Sequence, residues 1–245
     1  MSILKVGQVF ESNSCGELEV IEYVNARKVR IKFIATGFEK WVQAKGVRSG
    51  MIKDLLSPSV YGAGFVGVGG YATSENNKQS TSYKVWQAVI RRCYDKAFHE
   101  KAPTYKDCTV CDEWLNFQNF AKWFEDNYIE GYELDKDLLT PNNKHYSPEM
   151  CIFVPARVNT LLGDCGSARG EYPQGVSLEK KTGRFKAQCQ QGSGSRHIGF
   201  FSTVNEAVSA YRKFKKKVIL KVAGEQSDKR LIDGLIAHAN LLEAP

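Results

Sequence analysis

Read for the spacing of its apolar and polar positions alone, the chain alternates between a period of two and a period near 3.6. Residues 6–10, 18–23, 29–33 and 40–42 read as short strands, parted by turn-forming stretches at 13–16, 25–28 and 35–37. Four or five such strands in the first sixty residues predict a small β-barrel or meander. Helical spacing then takes over. Trp86, Val89, Ile90 and Cys93 fall on one stripe, and Trp114, Phe117, Phe120, Ala121 and Phe124 on another. Three β-type runs end at Phe201, after a turn built on Gly170, Pro173 and Gly175. Within them the side chains alternate: Arg184, Lys186, Gln188 and Gln190 on one face, Phe185, Ala187 and Cys189 on the other. Thr203 and Glu206 have capping-box spacing and predict a helix start. Its apolar stripe runs through Ala207, Val208, Tyr211, Val218, Ile219 and Val222. A last stripe of Leu231, Ile232, Leu235, Ile236, Ala239 and Leu242 predicts a packing helix, with a homodimer contact as its other use.

The pattern predicts a modular α+β chain. Its expected parts are a β-rich module at 1–70, a linker at 71–81, a middle module at 82–163, a sheet-plus-helix module at 168–224 and a packing helix at 225–245. Gly62 to Gly70 contains a literal GxGxxG, but no helix signal opens within it, as phosphate cradling requires. The stretch reads as a hinge between modules, continued by the polar linker.

Charge singles out one module. Residues 168–224 hold twelve Lys and Arg against three Asp and Glu, or +9, while the whole chain carries +7. A strand face made of cationic and hydrogen-bonding groups, backed by one helix, suits a major-groove reader; a solvated basic surface is the plainer alternative. The first module has nine cations and six acids, the middle one ten cations and twelve acids. No apolar run reaches membrane-span length and no signal segment opens the chain. Seven cysteines without such a segment predict free thiols and a cytoplasmic setting.

Gly175-Val176-Ser177, Gly183-Arg-Phe-Lys-Ala187, Ile198-Gly199-Phe-Phe201-Ser-Thr203 and Glu206-Ala207 with Ala210-Tyr211 together resemble the plant ERF (APETALA-type) DNA-binding domain. That resemblance implies three strands docked in the major groove of double-stranded DNA. It assigns contact to Arg184, Lys186, Gln188, Arg196 and His197, with Lys180 and Lys181 in the adjoining turn. His197 stands about where the plant domains carry Trp, so base preference does not carry over.

Chemistry, if any, lies between Leu134 and Leu162. Leu134-Asp-Lys-Asp137 reads as a strand, Asn142-Asn-Lys144 as a turn, Tyr146 to Cys151 as a second extended segment and residues 155–162 as a helix. Strand, loop, strand and helix, with Asp on the first strand and Asn on the helix, is the layout of a ββα-metal nuclease, which needs a hard divalent cation and a base. With Trp86, Arg92-Cys93-Tyr94 and Cys111-Asp-Glu-Trp114, the segment resembles HNH-endonuclease-related proteins of tailed phages and prophages. The resemblance implies Asp135, Asp137 and Asn159 as ligands of Mg²⁺ or another divalent ion, and puts Lys136 where active enzymes carry the general-base His. A lysine, with an ordinary pKa of about 10.4, is protonated at neutral pH and cannot accept a proton from water. His145 is the residue that could replace it if the loop folds back. Cys108-Thr-Val-Cys111 has zinc-site spacing, with His145 and Cys151 to complete it; buried thiols filling a core are the stronger reading.

Three functions remain open from the sequence: a DNA-binding protein with a silent nuclease-like core, an active HNH-type endonuclease or nickase, and a phage factor that binds a host protein.

Overall fold

Alternation near the N-terminus produces an antiparallel meander. Strands β1 (Val9–Ser12), β2 (Gly16–Asn25), β3 (Lys28–Phe33) and β4 (Glu39–Val42) pair in sequence order. Val29, Ile31 and Phe33 of β3 are fully buried beside Leu18 and Val20, while Lys28, Arg30 and Lys32 face outward. Burial of each such aliphatic side chain is worth about 1.5–3 kcal/mol. The short helix α1 (Ala44–Ser49) closes this core with Ala44 and Val47, and Gly50 ends it in the left-handed conformation at φ 64°.

The computed structural model describes residues 3–163, 171–191 and 194–243. It divides into two compact units, residues 1–126 and 127–245. The first unit continues from the meander through a two-residue hairpin, β5 (Ser74–Glu75) and β6 (Lys78–Gln79), whose Asn76 and Asn77 both have positive φ. Helix α2 (Thr81–Tyr94) follows, capped by Ser80, and then α3 (Lys96–Lys101), a 3-10 turn (Pro103–Tyr105), β7 (Thr109–Val110), α4 (Asp112–Leu115) and α5 (Phe117–Asn127). The expected stripes are the core: Trp86, Val89, Ile90, Trp114, Phe117, Phe120 and Ala121 are buried. The Trp86 indole N–H donates to the Trp114 carbonyl at 2.6 Å, so the ring is buried without an unpaired donor.

The glycine-rich stretch is not a hinge. Phe65 donates to the Leu115 carbonyl and accepts from Phe117 N, both at 2.9 Å, and Gly67 donates to the Leu55 carbonyl at 2.8 Å. A Cβ on Gly64 would stand 2.8 Å from the Trp86 ring, and one on Gly67 or Gly69 would run into Asn116 or Gln118. Gln118 bridges the Val66 and Tyr71 carbonyls and accepts from Tyr71 N. These glycines let backbone lie directly on the helical core, a close approach that periodicity does not report. Helix α2 starts only at Thr81, well past the GxGxxG.

In the second unit β8 (Tyr132–Asp135) pairs antiparallel with β10 (Ile152–Pro155). Strand β9 (His145–Tyr146) lies in the loop between them, and α6 (Ala156–Leu162) follows. The C-terminal sheet is β11 (Val176–Glu179), β12 (Arg184–Gln191) and β13 (Gly194–Phe201), in that order and antiparallel, backed by α7 (Val204–Gly224). The capping box forms as the spacing predicts, Thr203 and Glu206 each bonding the other's backbone N–H. Helix α8 (Lys229–Leu241) returns against α7. Leu138, Ile152, Val154, Val158, Val218, Ile219, Leu231, Leu235 and Ala239 form one core. The expected middle module is therefore divided at residue 126, and its ββα half shares a core with α7 and α8. Gly170 and Cys165 lie outside the described residues.

Candidate nucleic-acid interface

Strand β12 alternates as the sequence predicts, with Ala187 and Cys189 buried on the helix side and Phe185 half-buried there. Across the sheet, directly opposed residues share a face. Ser177 and Phe200 oppose Lys186, Glu179 opposes Arg184 and His197 opposes Gln188. The outward face therefore carries Arg184, Lys186, Gln188, His197 and Phe200, with Lys180 and Lys181 exposed in the turn at one end. The His197 and Phe200 rings lie 4.9 Å apart. The Arg184 guanidinium donates to the Phe200 carbonyl at 2.6 Å, which lays it across the outward face. Among the described residues of that face, four cations stand against the single carboxylate of Glu179. Gln190, next on that face by register, borders a cleft of about 290 Å³ with Arg157, Lys221 and Glu225.

Arg196 departs from the expected set. The register shifts between Ala187 and Gln188, so Gly199 pairs with Ala187 but His197 with Gln188, and Ile198 is left over as a bulge. Arg196 then opposes Cys189 and is exposed on the helix side. Adjacent strand residues point to opposite faces, and the bulge decided for His197. Phe200 was absent from the expected contacts. Its exposure of 39% for a large aromatic on the polar face is the signal that finds it.

The ββα segment is built differently. Asp135 ends β8, and its Oδ1 accepts backbone N–H bonds from Asp137 at 2.8 Å and Leu138 at 2.6 Å. Burial pushes its carboxyl above the ordinary value; the Leu138 N–H opposes this, and the like charge of Asp137 adds to it. Lys136 is buried, at 7% exposure. Its ammonium donates to Asp137 Oδ1 at 2.6 Å and to the Asn143 carbonyl at 2.7 Å, and lies 6.0 Å from the Tyr146 ring centroid. An ammonium donating to a carboxylate and a carbonyl has no lone pair with which to act as a base. Asn143 Nδ2 bonds the carbonyls of both Lys136 and His145, at 2.9 and 2.7 Å. The loop thus folds back and brings the His145 backbone beside Lys136.

The expected ligands go to separate partners. Asp137 is bound to Lys136, Asp135 holds two backbone N–H groups, and Asn159 donates to Glu133 Oε2 at 2.6 Å. The fit to a divalent centre is poor. Glu133 was not among the expected residues, although its place two before Asp135 on a strand puts both carboxylates on one face. Cys108 and Cys151 are buried and Cys111 half-buried, all as free thiols. Among the described residues no group of three or more His, Cys, Asp or Glu is placed to hold a metal ion. No helix among them is long and apolar enough to cross a membrane.

Comparison with known proteins finds no matching family model and no significant match among curated proteins or solved structures.

Proposed function

We propose that this chain binds double-stranded DNA by laying the outward face of its C-terminal sheet in the major groove, and that its ββα segment is a scaffold that does not cleave. The observation that carries the reading is the composition of that face: Arg184, Lys186, Gln188 and the His197–Phe200 ring pair on a helix-backed sheet, with Lys180 and Lys181 at its end. Cations supply phosphate attraction, while glutamine and arginine can pair with the acceptor and donor edges of bases in the groove. Lys136, buried and bonded to Asp137, supports the silent role of the ββα segment. The likeness to ERF domains and to HNH-related phage proteins suits a phage-type factor acting in the cytoplasm of a bacterial host.

The test pairs two measurements on the intact protein. Binding to a labelled duplex is expected to weaken linearly with log salt, at a slope of about −0.9 per phosphate contacted. Supercoiled plasmid with Mg²⁺ or Mn²⁺ is expected to stay supercoiled. Absence of duplex binding at about 50 mM salt would reject the reading. Metal-dependent nicking that disappears in Asp135→Ala and Asn159→Ala would replace it with an active nuclease.

A further inference from the structure

Helix α7 packs on the sheet through Ala207 and Tyr211 and on α8 through Val218 and Ile219. Its remaining side carries Asn205, Ser209, Arg212, Lys213, Lys216 and Lys217. Steps of three and four align them in one stripe, about 18 Å long at 1.5 Å per residue. The stripe lines an open groove of about 770 Å³, with Leu220 and Leu242 at one end and Glu243 bonded to Lys216 at 2.5 Å.

Like charges are crowded together on this side of the helix. Arg212 with Lys216 and Lys213 with Lys217 are like-charged pairs four apart, each destabilising an isolated helix by about 0.2–0.5 kcal/mol. They sit in the middle of a 21-residue helix, away from the C-terminal turn where the dipole would welcome cations. Among the described residues lining the groove, four cations and one carboxylate form a straight row that matches a linear polyanion. The row lacks the central aromatic anchor typical of protein interfaces.

We infer that this stripe is a second phosphate-backbone site, so that the C-terminal module holds two duplexes, one on the sheet and one on the helix. At about 3.4 Å of duplex axis per base-pair step, the row spans roughly five steps. Because α7 covers the inner side of the sheet, the two cationic faces point away from each other. The second-duplex role rests on the sheet reading proposed above, whereas backbone binding by the stripe does not.

The experiment immobilises one duplex, saturates it with protein and measures capture of a second, fluorescent duplex at about 50 mM salt, beside anisotropy binding of a single duplex. Arg212→Gln, Lys213→Gln and Lys217→Gln together are expected to cut capture at least tenfold while single-duplex affinity changes less than about threefold. Thermal melting checks that the variant is folded, and Lys213→Arg with Lys217→Arg is expected to retain capture. Capture that is absent from the wild type, or unchanged in a folded triple variant, overturns the inference and leaves the sheet reading standing. If the triple variant loses single-duplex binding while Arg184→Gln with Lys186→Gln keeps it, the helix stripe is a backbone site and the sheet reading fails. Absence of any duplex binding by the wild type overturns both.

Discussion

Strands β3 and β12 follow the same rule and end with different surfaces. Each alternates strictly, with apolar residues inward and cations outward: Lys28, Arg30 and Lys32 on β3, Arg184 and Lys186 on β12. On β3 the neighbouring strands answer those charges. Arg30 pairs with Glu39 at 2.9 Å and lies 4.0 Å from Glu22, Lys32 opposes both Glu39 and Glu19, and Lys28 sits 4.9 Å over the Trp41 ring. On β12 the opposed residues are Ser177, Phe200 and His197, with Glu179 alone acidic. Exposed ion pairs add little stability, but they cancel the field that a polyanion would feel. A cationic strand is thus no indicator of a DNA face until its cross-strand partners are known.

The largest effect expected from this contrast is on binding. Arg184→Ala with Lys186→Ala should weaken duplex binding about a hundredfold and flatten the salt slope by about two phosphates. Arg30→Ala with Lys32→Ala should change affinity less than about threefold by the same anisotropy titration. Equal losses from both pairs would break the comparison.

Lys136, just past the end of β8, is a third kind of cation, one whose charge is used inside the fold. Lys136→Ala leaves the Asn143 carbonyl without its donor and Asp137 without its partner. Asp137 is half-exposed and partly screened, so the expected loss is about 2 kcal/mol in denaturant unfolding, below the 3–5 kcal/mol of a fully buried pair. DNA affinity of the folded variant should be unchanged; a large loss of affinity would make Lys136 a contact residue.

A smaller effect sharpens the contrast from the other side. Glu22→Gln with Glu39→Gln removes the acids that answer Arg30 and should raise low-salt duplex affinity about threefold. No gain would mean that β3 is shielded from DNA for some reason other than charge.

The smallest expected effect concerns Asp135. Its folded pKa is raised by burial, so its contribution to stability is fully present below the unfolded value of about 3.9 and is lost as pH rises through the folded value. Asp135→Asn keeps an acceptor for the two N–H groups and should raise Tm at pH 7. The difference should vanish near pH 3. A variant destabilised at every pH would show that the charged carboxylate itself holds the loop.

Much of this protein follows from local pattern. The meander, the stripes of α2 and α5, the capping box of α7 and the two faces of β12 all arise from side-chain period and short-range hydrogen bonding, which neighbours in the chain specify. The same pattern stops short at three places, each governed by contacts that form only when the chain folds. The glycines between Gly62 and Gly70 read as a hinge because nothing local shows Trp86, Asn116 and Gln118 pressing on them. Arg196 and His197 could not be sorted to faces until β13 paired with β12 and left Ile198 over. Lys136 and its acidic neighbours read as an altered catalytic centre, and only the folded loop bonds the ammonium to Asp137 and Asn143. Alternation decides which side of a strand a residue takes. Whether that side meets water, an opposing charge or another backbone is set by non-local packing, and only the tertiary structure decided it.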